Sequence, residues 1–174
     1  MEDKSLEIYY KQIEFCYGHV EWTHKIHEKA ADICNFVNNI LRWIQVILSI
    51  VVTTDIIKQL YDNSPSIGCL LLWCSVILTL INTITKTFDF GGRACKHIIA
   101  ANSLWGLRED YRSFKNDIKA GVLDIKEIHV TRERLQNAVQ EVYKTAPRTF
   151  DWAYKKAKED FCQSKVSFSY LDEH

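Results

Sequence analysis

The chain has 174 residues, a formal net charge of zero, 25% charged residues and a mean hydropathy of −0.16. That length accommodates one compact unit, and the balanced charge argues against direct nucleic-acid binding, because duplex binders carry a marked basic excess. The averages conceal two apolar runs set between polar flanks, and the organisation of the chain follows from those runs.

Residues 1–39 read as helix, an N-terminal amphipathic region on the cytoplasmic side. Gly18 interrupts the stretch SLEIYYKQIEFCY, so two helical segments are expected to meet near Gly18 and His19. Beyond it Trp22, Ile26, Ile33 and Val37 recur at spacings near four and seven, with His24, Lys25, Glu28 and Lys29 between them. His24 and His27 share a helix face at i, i+3, but the pair lacks the further ligands that close a metal site, so neither metal nor cofactor is expected. No short basic leader precedes an apolar core, and the first span is expected to act as its own insertion signal.

Residues 40–87 read as a transmembrane hairpin. Its second span, about 67–86, contains nineteen residues without a charge (67–85) and is closed by Lys86. As a helix that run is ~28 Å long, close to the ~30 Å hydrocarbon core of a bilayer. The first span, about 40–58, keeps only twelve uncharged residues between Arg42 and Asp55. Those two groups sit near opposite ends, where long side chains snorkel and short ones reach headgroup water. Asn63, Ser64 and Pro65 form the turn between the spans, and Ser66 is placed to cap the second. The turn carries no Lys or Arg, whereas the outer flanks carry Lys25, Lys29 and Arg42 on one side and Lys86, Arg93 and Lys96 on the other. Both termini are therefore expected in the cytoplasm.

The polar residues of the spans are ordered. Asn38, Arg42, Gln45, Ser49 and Thr53 form one stripe, and Ser75, Thr79, Asn82 and Thr83 form a second. Two uses are open. Such groups hydrogen-bond between helices for ~1 kcal/mol each, holding a hairpin or a homo-oligomer together. Alternatively they line a water-filled path, which one hairpin cannot enclose and several copies can.

Residues 88–163 read as a cytoplasmic helical region. Gly91 and Gly92 mark a hinge or a close backbone approach. Leu104, Leu107, Tyr111, Phe114 and Ile118 then repeat at three and four, and Gly121 is placed to end that helix. Asp124 and Glu127 occupy capping-box positions ahead of Leu135, Ala138, Val139 and Val142, which favours an antiparallel helical pair. Ala146, Pro147, Arg148 and Thr149 stop that helix, and Thr149 is placed to cap a last one; residues 164–174 form a tail. The fold class is all-α. The six cysteines form no CxxC pair and are expected as reduced thiols. No nucleophile elbow, zinc signature, phosphate loop or paired carboxylate site occurs, so no catalytic residue and no enzymatic activity are expected.

The segments HKIHEKAADI, AANSLWGLREDY and above all YKTAPRTFDWAYKKAK, set around a two-span hairpin, resemble the SLATT domain family over nearly the whole chain. Positions that match the family by motif are Ala146, Pro147, Arg148, Thr149, Tyr154 and Lys155. The resemblance implies a multi-pass effector of bacterial antiphage defence in the inner membrane. Such an effector oligomerises, forms a pore or otherwise disrupts that membrane, and causes abortive infection. Membrane lipid and further copies of the chain are its implied partners, together with a sensor such as a nucleotide-generating enzyme or a reverse transcriptase system. A non-conducting membrane anchor that recruits a cytoplasmic partner is the alternative.

Overall fold

The computed structural model describes residues 2–62 and 68–163. The expected turn at Asn63, Ser64 and Pro65, the Ser66 cap and the 164–174 tail lie outside the described residues, as does the Cys162 side chain. Five helices follow one another: α1 (Glu2–Asp62), α2 (Gly68–Phe88), α3 (Phe90–Ala120), α4 (Ile125–Thr145) and α5 (Asp151–Gln163). No strand occurs among the described residues, in agreement with the all-α reading.

The expected break at Gly18 is absent. α1 runs uninterrupted through it, and Gly18 is buried within the helix, where an interior glycine costs only ~1 kcal/mol relative to alanine. The boundary expected between residues 39 and 40 also falls inside α1, whose length serves two compact units: Met1–Ala31 with Cys95–His174, and Asp32–Ala94.

The first unit packs α1, α3 and α4 around one apolar core, with α5 against α1. Ile13 and Val20 of α1 meet Leu104, Leu107, Tyr111, Phe114 and Ile118 of α3, with Ile128 and Leu135 of α4 closing the cluster. The apolar stripe read on α3 is therefore the core stripe of the unit. Outside it, α1 and α3 run antiparallel with matched charges. Lys119 lies over the Tyr10 ring at 5.2 Å, Lys115 reaches Glu14 at 3.6 Å and the Tyr17 ring at 4.9 Å, and Arg108 approaches Glu21 at 3.9 Å. Pairs of this kind fix register more than they add stability.

The turn between α3 and α4 satisfies two of the carbonyls that the end of α3 leaves open. Gly121 adopts φ 66°, its N–H donates to Ile118 at 3.2 Å, and the Val122 N–H donates to Asp117 at 3.2 Å, the two bonds of a Schellman motif. Asp124 then caps α4: the Glu127 N–H donates to Asp124 Oδ1 at 2.7 Å while the Asp124 N–H donates to Glu127 Oε2 at 2.9 Å. At the far end Ala146 is extended ahead of Pro147, and Phe150, rather than Thr149, offers the carbonyl that opens α5. α5 lies close to α1 because its inward residues are the small Ala153 and Ala157, both fully buried. Trp22 packs edge-on against Tyr154 at 5.4 Å, and Lys29 pairs with Asp160.

Leu104→Ala removes a fully buried side chain and should lower unfolding stability by about 2–5 kcal/mol. Its neighbour Trp105 is 52% exposed, and Trp105→Ala should change stability by about 0.5 kcal/mol or less. Denaturant titration of both variants in the same detergent checks the contrast.

Candidate functional site

In the second unit, α1 and α2 lie antiparallel along a seam whose positions advance by three and four. Leu41, Gln45, Leu48 and Val52 are half-buried positions of α1, facing Leu71, Cys74, Leu78, Ile81 and Thr85 of α2. A polar contact crosses it: Gln45 Nε2 donates to Asn82 Oδ1 at 2.9 Å and to Thr85 Oγ1 at 3.4 Å. Asn38 is also buried, beside Gly91, where an added Cβ would stand 3.6 Å from Asn38 Oδ1.

The remaining stripe residues do not meet across the seam. Arg42, Ser49, Thr53, Thr79 and Thr83 are exposed and Ser75 is half-buried at the margin. Their hydroxyls turn back on their own helices. Thr53 donates to the Ser49 carbonyl at 2.8 Å, Ser75 to Leu71 at 2.9 Å, Thr79 to Ser75 at 2.9 Å and Thr83 to Thr79 at 2.9 Å. Counting ~100° per residue from the seam, Arg42, Ser49 and Thr53 lie ~90° round α1, and Thr79 and Thr83 lie ~120–160° round α2. Because the helices are right-handed and antiparallel, those two rotations point the same way, so the residues share one broad face of the hairpin. The opposite face is apolar: exposed Ile40, Ile44 and Ile47 on α1, and Trp73, Ile77 and Ile84 on α2.

Between α2 and α3 a single residue does two jobs. Asp89 adopts φ 40°, donates its N–H to Thr85 at 3.1 Å to finish α2, and accepts the Gly92 N–H at 3.0 Å on Oδ1 to cap α3. Any Cβ at Gly92 would collide with that carboxylate. Gly91 and Gly92 thus sit in the first turn of α3, and of the two only Gly92 lies at a close approach.

Within the first unit, α1 presents two buried histidines, His24 and His27, to α3, which contributes a third, His97. His24, His27 and His97 are 5%, 3% and 2% exposed. His27 Nδ1 and His97 Nδ1 are 3.0 Å apart, a hydrogen bond that requires one ring to donate and the other to accept. His24 Nδ1 lies 2.9 Å from the Ala101 carbonyl, its Nε2 is 3.4 Å from Glu28 Oε1, and Phe150 packs edge-on over His97. Among the described residues no group of three or more His, Cys, Asp or Glu side chains is placed to hold a metal ion. Cys16, Cys34, Cys69, Cys74 and Cys95 are free thiols.

Beside the histidines opens a cavity of about 520 Å³. α1 supplies His19, Trp22, Thr23, Ile26 and His27, and α4 supplies Tyr143, whose hydroxyl lies 3.2 Å from Thr23 Oγ1. The remaining wall is the connection Ala146, Pro147, Arg148 and Thr149. Five of the six motif positions therefore converge here, four lining the cavity and Tyr154 packed against Trp22, while Lys155 points to solvent.

With two helices long and apolar enough to cross a membrane, and a helical unit built around the APRT connection, the chain matches one family model over residues 9–169. The chain belongs to the SLATT family. The matching model is that of the SMODS and SLOG-associating 2TM effector domain, family 4. No curated protein and no solved structure matches the chain. Membership makes this a membrane effector domain of defence systems, associated with SMODS and SLOG signalling proteins.

In this SLATT chain the buried histidines are what the apolar periodicity left unmarked. His24 and His27 occupy inward positions of α1, and His97, seventy residues from its partner His27, had no local signal. The cavity was equally hidden, since its walls come from segments about 120 residues apart.

Burial, followed by the nearby His97 and His24, pulls the pKa of His27 down from the usual 6.5 to about 4. The unfolded chain then takes up a proton below pH 6.5 that the folded unit refuses, so stability is full above pH 6.5 and is lost as pH falls toward 4. The thermal midpoint in nonionic detergent should drop across that window, and His27→Gln should flatten the drop. Equal slopes for both proteins would contradict the assignment.

Proposed function

We propose that this SLATT chain is a non-enzymatic effector of bacterial antiphage defence, residing in the inner membrane as a homo-oligomer with both termini cytoplasmic. On a signal from a sensor partner, such as a nucleotide-generating enzyme or a reverse transcriptase system, its hairpins open a pore or otherwise disrupt the membrane and cause abortive infection. The two-faced hairpin carries this reading. A lone hairpin has to turn Arg42, Ser49, Thr53, Thr79 and Thr83 to lipid, whereas several copies with these faces inward enclose a polar path and leave Ile40, Ile44, Ile77 and Ile84 outside. The orientation rests on the Lys and Arg of the outer flanks, which favour the cytoplasmic side.

One observation favours the second reading, a non-conducting anchor that recruits a cytoplasmic partner. The hydroxyls of Thr53, Thr79 and Thr83 already bond to carbonyls one turn back, so that part of the polar face costs little in lipid.

Membrane potential separates the two. Expression together with the activating partner should depolarise the cells. The double variant Ser49→Leu, Thr83→Leu should lose most of that depolarisation while cross-linked oligomers persist, and Ile47→Leu on the other face should behave as wild type. Full depolarisation by the double variant would remove the lining role, and membrane insertion without depolarisation under any condition would leave the anchor.

A further inference from the structure

The cavity walled by α1 and the α4–α5 connection has the chemistry of a ligand site. Its volume of about 520 Å³ falls within the ~300–1,000 Å³ usual for small-molecule pockets. No carboxylate lines it, while a guanidinium (Arg148) and an imidazole (His19) do. Elsewhere in the same unit Lys29, Arg108, Arg112, Lys115 and Lys144 each lie within ion-pair distance of an acidic group. Arg148 is exposed at the rim and has no such partner among the described residues, so its donors are available to an incoming anion. Two further walls are flat rings, Trp22 and Tyr143, with the hydroxyls of Thr23 and Thr149 beside them. Pro147 keeps the wall that carries Arg148 out of helical conformation, since Ala146 before it is extended at ψ 137°.

We propose that this cavity binds a small anion carrying a flat ring, with Arg148 taking the anionic group and Trp22 and Tyr143 taking the ring. A cation would meet Arg148 and His19 with no counter-charge on the lining, and a purely apolar ligand would bury the guanidinium for nothing. The site stands apart from whether the hairpins conduct, because its test is binding to the purified full chain.

Isothermal titration of the detergent-solubilised chain uses three probes: adenosine 5′-monophosphate, which has ring and anion; adenosine, which has only the ring; and glycerol 3-phosphate, which has only the anion. The monophosphate should bind more tightly than either fragment. Arg148→Gln should weaken it by about tenfold or more, the scale of a lost charge-assisted hydrogen bond, while Arg148→Lys should retain part of the affinity. The exposed position of Arg148 lets both variants keep the wild-type circular dichroism, which is checked alongside. Absence of monophosphate binding, or binding unchanged in Arg148→Gln, overturns the proposal. Equal binding of glycerol 3-phosphate overturns its ring half and gives the cavity to a ringless phosphate such as a lipid headgroup.

Discussion

One stripe on α1 carries the rest of the structure. From Ile13 the inward positions run through Val20, His24, His27, Ala31 and Cys34, and on through Asn38, Leu41, Gln45, Leu48 and Val52. The steps are four and three throughout once Val20 is reached. A straight helix turns ~100° per residue, so a strict seven-residue repeat drifts ~20° per heptad, and a helix keeps such a stripe on one side only by supercoiling gently to the left. The repeat asks for an unbroken inward row, and α1 passes Gly18 without breaking.

The polar members of the seam decide its register. His27 meets His97, His24 meets the Ala101 carbonyl, and Gln45 meets Asn82 and Thr85. Leu, Ile and Val tolerate a slip of one heptad with modest loss. A slip here would leave buried imidazoles and amides without partners, at ~1–3 kcal/mol for each orphaned group. Polar residues within an apolar seam thus trade stability for a single alignment, as a lone polar residue does in coiled coils. The Asp89 cap adds to this, because a left-handed residue held by the Gly92 N–H sets where α2 ends and α3 begins.

Much of this was legible in the sequence because it is local. The Leu104 to Ile118 stripe, the stop at Gly121 and the Asp124–Glu127 capping box each depend on residues within one or two turns of each other, and all are present. The uncharged run closed by Lys86 was readable for the same reason. What escaped was non-local or sat on polar side chains. Trp22, Ile26, Ile33 and Val37 marked the margin of the α1 seam, whose true members include two histidines and an asparagine that apolar counting passes over. The first stripe, Asn38 to Thr53, grouped polar residues of one helix. It could not distinguish the seam positions Asn38 and Gln45 from the flanking Arg42, Ser49 and Thr53, because that division depends on where α2 lies. The cavity at Arg148 needed a wall from α1 that no spacing rule connects to it.

The two polar populations of the hairpin carry unequal demands. A serine or threonine hydroxyl bonded to its own helix has spent its donor, and its remaining lone pairs face lipid at small cost or water at none. The Gln45 and Asn82 amides retain capacity beyond the one bond they share, and Arg42 keeps a full charge at the end of its span. On this polar face the penalty for a lone hairpin in lipid is therefore concentrated near Arg42 and Asn82, toward the ends joined to the polar flanks. A face built in this way tolerates lipid along most of its length and requires water or a polar neighbour at one end.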